Sequence, residues 1–243
     1  MATQKHTLEH VLQEKERVGK LAQIRELVFG AQDGLLVPLG VVSSVAGAFS
    51  DNHIVLIAGI SEALAGAFSM ATGAFLASQA EKQVFINEIN KERKEMADHP
   101  KYEREEMILL YKNEGMSEED AQKIVEILLK NKSSYFTNMV QKELGIDPDL
   151  PSAPIRDAVL VGLSYMLAAI VPLFPYFLIS GMPAIVCSIL ATFVALFCIG
   201  LAKGKVASLP YIKSGLQVLL IGAGAGIGGY LLGTILPHLL GIK

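Results

Sequence analysis

Charge is scarce in this chain, and so is cysteine. Of 243 residues only 19% are Asp, Glu, Lys or Arg, against roughly 25% in an ordinary soluble domain. The net charge is −3, which leaves no basic footprint for nucleic acid. The two cysteines, Cys187 and Cys198, lie in one apolar segment. On a single helix, eleven residues apart, they cannot approach disulfide geometry. They read as small core hydrophobes and say nothing of the redox compartment. No alternating pattern marks a strand, and no stretch is low in complexity. Residues 1–25 are polar and charged, so no cleavable leader is expected.

What remains is apolar: 51% of the residues are hydrophobic and the mean hydropathy is +0.42. The few charges are unevenly spread. Segment Glu81–Leu150 holds 16 of the 24 acidic residues and 11 of the 21 basic ones. That distribution describes a membrane protein with a soluble insert.

Five apolar segments follow one another: Leu27–Phe49, Ile54–Ala80, Ala158–Ile179, Ala184–Ala202 and Leu216–His238. Each is near or above the ~20 residues a helix needs to cross the hydrocarbon core. The last three contain no Asp, Glu, Lys or Arg. In lipid a spanning segment must satisfy its own backbone, so helices are expected. The fold class is therefore all-α: a polytopic membrane protein with five transmembrane helices and a cytosolic helical insert between spans 2 and 3. Its parts are an N-terminal arm (1–26), spans 1 and 2 (27–80), a Glu-rich insert (81–153) and spans 3 to 5 (154–243). The arm, the insert and the link bearing Lys203, Lys205 and Lys213 fall on one side, which should be the cytosol. Thr7–Ile24 has an amphipathic pattern that suits either the membrane surface or packing on the insert.

Local punctuation divides the insert. The second span runs on as Glu81–Ala97 and breaks at Asp98-His99-Pro100. Lys101–Glu114 is a helix ended by Gly115. Ser117-x-x-Asp120 caps a third helix, which runs to about Lys130. Tyr135–Leu144 is a fourth, closed by Gly145, and Asp147–Pro154 is a linker.

Two acids fall inside spans: Asp33 in the first and Glu62 in the second. A charge at mid-bilayer costs at least ~2.5–3.5 kcal/mol, so such residues mark ion pathways or relays. A carboxyl that must release its proton to bind a cation couples metal flux to proton flux. The plainer alternative is an interfacial acid that only caps or hydrogen-bonds. Pro38 and nearby glycines predict that the first span is not a regular helix throughout, and freed carbonyls there are potential cation ligands. Met70 lies two turns beyond Glu62, about 12 Å along the helix, and its thioether would favour a transition metal over Mg²⁺ or Ca²⁺. Gly59, Ala63, Gly66, Ala67, Gly73 and Ala74 permit close approach of another helix or a second subunit.

In the insert, Glu81, Glu88, Glu92 and Glu95 share one helix face. Glu103 and Glu106 are an i,i+3 pair on the next helix, and Met139 and Glu143 an i,i+4 pair on the last. Like charges so stacked repel unless a cation lies between them. A solvated acidic face accounts for any one stripe equally well.

Several separated motifs in one order give the chain a resemblance to the vacuolar iron transporter family. They are Asp33-Gly34-Leu35 through Pro38, Ala58-Gly59-Ile60-Ser61-Glu62 through Gly66-Ala67-Phe68-Ser69-Met70, and Ser164-Tyr165 through Pro172-Leu173-Phe174-Pro175-Tyr176. The resemblance implies a homodimer of five-span subunits in the bilayer that exchanges Fe²⁺ for H⁺, with Mn²⁺, Co²⁺ or Zn²⁺ as further cargo and no permanent cofactor. It places Asp33, Glu62 and Met70 on the transport pathway. It makes Glu92, Glu95, Glu103, Glu106, Met139 and Glu143 the metal ligands of the insert. Two other readings are a membrane-anchored di-iron oxidase and a metal sensor without flux. The first is weakened by the residues themselves, since Glu92-x-x-Glu95 and Glu103-x-x-Glu106 lack the His of the usual di-iron motif.

Overall fold

A computed structural model describes residue 14 and residues 23–49, 51–146 and 153–224. The described residues are helical throughout, with short turns between helices and no strand. In chain order they form α1 (Ile24–Ala48), α2 (Asn52–Asp98), α3 (Pro100–Asn113), α4 (Glu118–Leu129), α5 (Lys132–Glu143), α6 (Pro154–Leu173), α7 (Pro175–Leu178) and α8 (Met182–Val206). A further helix, α9, occupies 211–224. Four of these, α1, α2, α6 and α8, are long and apolar enough to cross a membrane. The expected fifth span lies mostly outside the described residues, as do the amphipathic arm and most of the 147–154 linker.

The chain divides into two compact units, one formed by Met1–Phe75 with Ile155–Lys243, the other by Leu76–Pro154. In the first, polarity is inverted relative to a soluble protein. Ser188 and Thr192 are 0% exposed, while Phe68 is 74% and Ile57 66% exposed. An apolar exterior over small and hydroxylated inner positions suits lipid. Glycine lets the helices close. A Cβ on Gly34 would stand 2.3 Å from the Tyr165 backbone oxygen, and one on Gly200 would stand 2.6 Å from that of Ser214. Thus α1 seats on α6, and α8 on α9. Leu35, Leu196 and Val218 form one core; Val42, Val55, Leu173, Tyr176 and Ala184 form another.

The expectation of an irregular first span is corrected: α1 continues through Pro38. Proline removes only the bond to the Gly34 carbonyl, and Gly34 is buried against α6, so packing carries the helix across the gap. The third span is the interrupted one. It stops at Leu173 and restarts as α7, with Pro172 and Pro175 flanking the break. Ser188 Oγ donates to the Pro172 carbonyl at 2.7 Å, and Asn52 Nδ2 donates to the Tyr176 and Ile179 carbonyls at 2.8 and 2.7 Å.

The second unit is a small α-bundle on ordinary soluble principles. Met107, Ile108, Tyr111, Ala121, Val125, Tyr135 and Met139 make its core. The Ser117 side chain accepts from the Asp120 amide, and Gly115 and Gly145 adopt positive φ (97° and 66°) at helix ends. The last helix begins at Lys132, three residues earlier than its periodicity suggested, because Asn131 accepts from the Ser133 and Ser134 amides.

Candidate metal sites

In the membrane unit the Tyr165 hydroxyl donates to Glu62 Oε1 at 2.5 Å. The other oxygen, Oε2, is buried and has no hydrogen-bond partner among the described residues. Tyr165 is 2% exposed and Glu62 half-buried. Asp33, half-buried on α1, lies close enough that its charge and that of Glu62 both act on the Tyr165 phenol. Gly66 makes the bond possible: a Cβ there would fall 2.3 Å from the phenol oxygen and 2.8 Å from Glu62 Oε1. Met70, two turns on, is half-buried. The small residues found by sequence divide. Gly59, Ala63 and Ala67 are buried, and Gly66 meets Tyr165, whereas Gly73 is exposed with nothing against it among the described residues.

In the insert the chain folds so that α2, α3 and α5 each contribute one carboxyl to a single point. Oxygens of Glu92, Glu103 and Glu143 all lie within 4.8 Å of one another. Glu92 is 2% and Glu103 7% exposed, while Glu143 faces solvent. Glu92 Oε1 and Glu103 Oε2 are buried without partners. Burial, and then the charges of Glu143 and Glu103, push Glu92 up to about 8. Glu103 is raised by burial and by Glu106 and Glu143, and Glu143 by burial and Glu106. Three oxygen donors crowded this closely hold either protons or a hard or borderline dication.

The other expected ligands differ in their surroundings. Glu106 is exposed, and Glu95 is half-buried with Lys91 Nζ 3.7 Å from its carboxylate. Met139 is fully buried within the apolar core of the insert. Glu81 is exposed and Glu88 half-buried further up α2.

Two residues escaped the sequence reading. Tyr165 was visible only as part of a motif. A phenol in an apolar span needs a polar partner, and that is the signal that points to an acid nearby. Tyr135 sits four and eight residues before Met139 and Glu143, on the same face of α5, and entered the sequence reading only as the first residue of a helix.

Comparison with known proteins gives a family model described as the VIT family, matched over residues 24–234. Vacuolar iron transporter 1 of Arabidopsis thaliana is 31% identical over 232 residues, covering 95% of this chain and 92% of that protein. The vacuolar iron transporter of Centaurea cyanus is 32% identical over 85% of each chain. That of Plasmodium falciparum (isolate 3D7) is 29% identical, over 88% of this chain and 82% of its own length.

Proposed function

Because this chain belongs to the VIT family, we propose that it exports Fe²⁺ from the cytosol in exchange for protons. It is a multi-pass membrane protein, and its relatives are named for transport, not for catalysis. The observation that carries the reading is the Glu62 carboxyl. It is held by Tyr165 inside an apolar helix bundle, with one oxygen left unpartnered and Asp33 nearby. A group so costly to keep in lipid has a use there.

In this reading five spans cross the bilayer, with the arm and the insert in the cytosol. The membrane is vacuolar in a eukaryote and the cell membrane in a prokaryote. Two copies assemble as a homodimer. Glu92, Glu103 and Glu143, with Glu95, Glu106 and Met139 around them, collect the ion on the cytosolic side. Their crowding favours the exchange, since a dication turns mutual repulsion into attraction and displaces the retained proton. Asp33, Glu62 and Met70 carry the ion through the bilayer. Each acid gives up a proton as the metal arrives and regains one as it leaves, which couples the two fluxes. Mn²⁺, Co²⁺ and Zn²⁺ are also accepted, because ligand type alone does not separate first-row metals.

The test is flux into sealed vesicles that hold the purified protein, an Fe²⁺-quenched dye and an imposed pH gradient. Quenching should depend on the gradient and disappear in Asp33→Ala. Metal binding without quenching would replace transport by sensing. Oxygen uptake on adding Fe²⁺ would replace it by oxidase chemistry.

A further inference from the structure

The insert holds a third orphan atom besides its two carboxylate oxygens. Tyr135 is 5% exposed, and its hydroxyl is buried with no hydrogen-bond partner. A buried unpaired hydroxyl gives up its hydration for nothing, and phenylalanine would fill the same core without that cost. Tyr135 is nonetheless in the core, among Met107, Tyr111, Val125 and Met139. It shares that core with Met107, one turn from Glu103 on α3, and with Met139, one turn from Glu143 on α5, and the charges of Glu103 and Glu92 reach its phenol. Those same two residues carry the unpartnered oxygens Glu103 Oε2 and Glu92 Oε1.

We propose that Tyr135 is a positioning residue of the insert's metal site: its hydroxyl donates to a carboxylate oxygen of Glu103 or Glu92 turned away from a bound divalent cation. The proposal rests on the reading that this cluster binds metal. A carboxylate on a cation is acceptor-only, and each has more lone pairs than one metal ion uses. An outer oxygen buried in this core cannot reach water and needs a donor from the protein. Tyr135 is a donor already buried there with its hydroxyl free. Such outer hydrogen bonds fix ligand orientation and commonly govern metal affinity. The metal-free orphan is then a site kept ready for its loaded state.

The experiment uses the full-length protein in detergent and Mn²⁺ as the probe. Free Mn²⁺ is followed by electron paramagnetic resonance, and metal-free stability by thermal melting. Wild type should bind Mn²⁺ at a site lost in Glu92→Gln. Tyr135→Phe should bind there about 10–100-fold more weakly, with metal-free melting unchanged or raised. Equal affinity in the Phe variant overturns the proposal. So does a lowered metal-free melting temperature or a failure to fold, because either makes the hydroxyl structural. Wild-type and Glu92→Gln curves that coincide would instead remove the metal site itself, and the proposal with it.

Discussion

Glu62 in the membrane unit has a tyrosine hydroxyl at 2.5 Å and glycine beside it, whereas Glu92 in the insert is ringed by other carboxyls. Both are costly placements for an acid, and the remedies differ. The membrane acid is held by a neutral donor, which leaves one oxygen open and adds no fixed charge that would trap a cation. The insert acids crowd one another, and burial together with their mutual repulsion raises Glu92, Glu103 and Glu143 alike. On the proposed reading, a carboxyl held by a hydroxyl beside Asp33 suits an ion that must leave again. A carboxyl cluster suits an ion that must be captured from dilute solution. If the proposed function holds, the contrast separates passage from capture.

The sharpest way to break it is to disable each region alone. Glu62→Gln should abolish gradient-driven Fe²⁺ flux, by ~100-fold or more, while Mn²⁺ binding by the insert persists. Glu92→Gln with Glu143→Gln should do the reverse: insert binding is lost, and flux at saturating metal falls far less than flux at low metal. A KM-against-maximal-rate comparison in vesicles reads this directly. Loss of maximal flux in the insert variant as complete as in Glu62→Gln would merge the two roles.

A second prediction uses protons. Glu92 in the folded insert titrates near about 8, against an ordinary value of 4.5. Between these values the folded state binds more protons than the unfolded one, so metal-free stability falls as pH rises from about 4.5 to about 8. Hydrogen–deuterium protection factors of the α3–α5 amides, corrected for the intrinsic rise of exchange with pH, should therefore fall over this range, and Mn²⁺ should restore them at the upper end. Metal affinity should rise with pH by up to about tenfold per unit for each proton displaced. Glu92→Gln should flatten the stability slope. A slope that rises with pH would mean that the cluster is ionised and already neutralised by another group.

How much of this was legible beforehand follows from what periodicity encodes. Apolar length marked five segments, four of which are described as helices long and apolar enough to cross a membrane, and Gly115, Ser117 and Gly145 marked the ends of helices within the insert to within a few residues. Face-sharing put Glu92 with Glu95 and Glu103 with Glu106, because i,i+3 spacing is a property of one helix. It could not select one from each pair. Which member turns inward depends on how α2, α3 and α5 pack, and the fold buries Glu92 and Glu103 while leaving Glu106 exposed. Tyr165 was beyond reach for the same reason, being 103 residues from the acid it serves. Pro38 misled because the rule that proline ends a helix is local, and the packing of Gly34 against α6 that overrides it is not.

The smallest expected effect tests the residue on which pattern and packing disagree most. Met139 was read as a ligand beside Glu143, yet its side chain is fully buried in the apolar core. Leucine nearly conserves its volume, so Met139→Leu should cost less than about 1.5 kcal/mol of metal-free stability. If the thioether also reaches the ion, the loss is selective. Sulfur is a soft donor, so affinity for Fe²⁺ should fall a few-fold more than affinity for Mn²⁺, which is satisfied by the carboxylates alone. Competition between the two metals at the Glu92-dependent site measures that ratio without needing either absolute affinity. An unchanged ratio, with stability intact, would return Met139 to the core and leave capture to the three carboxyls contributed by α2, α3 and α5.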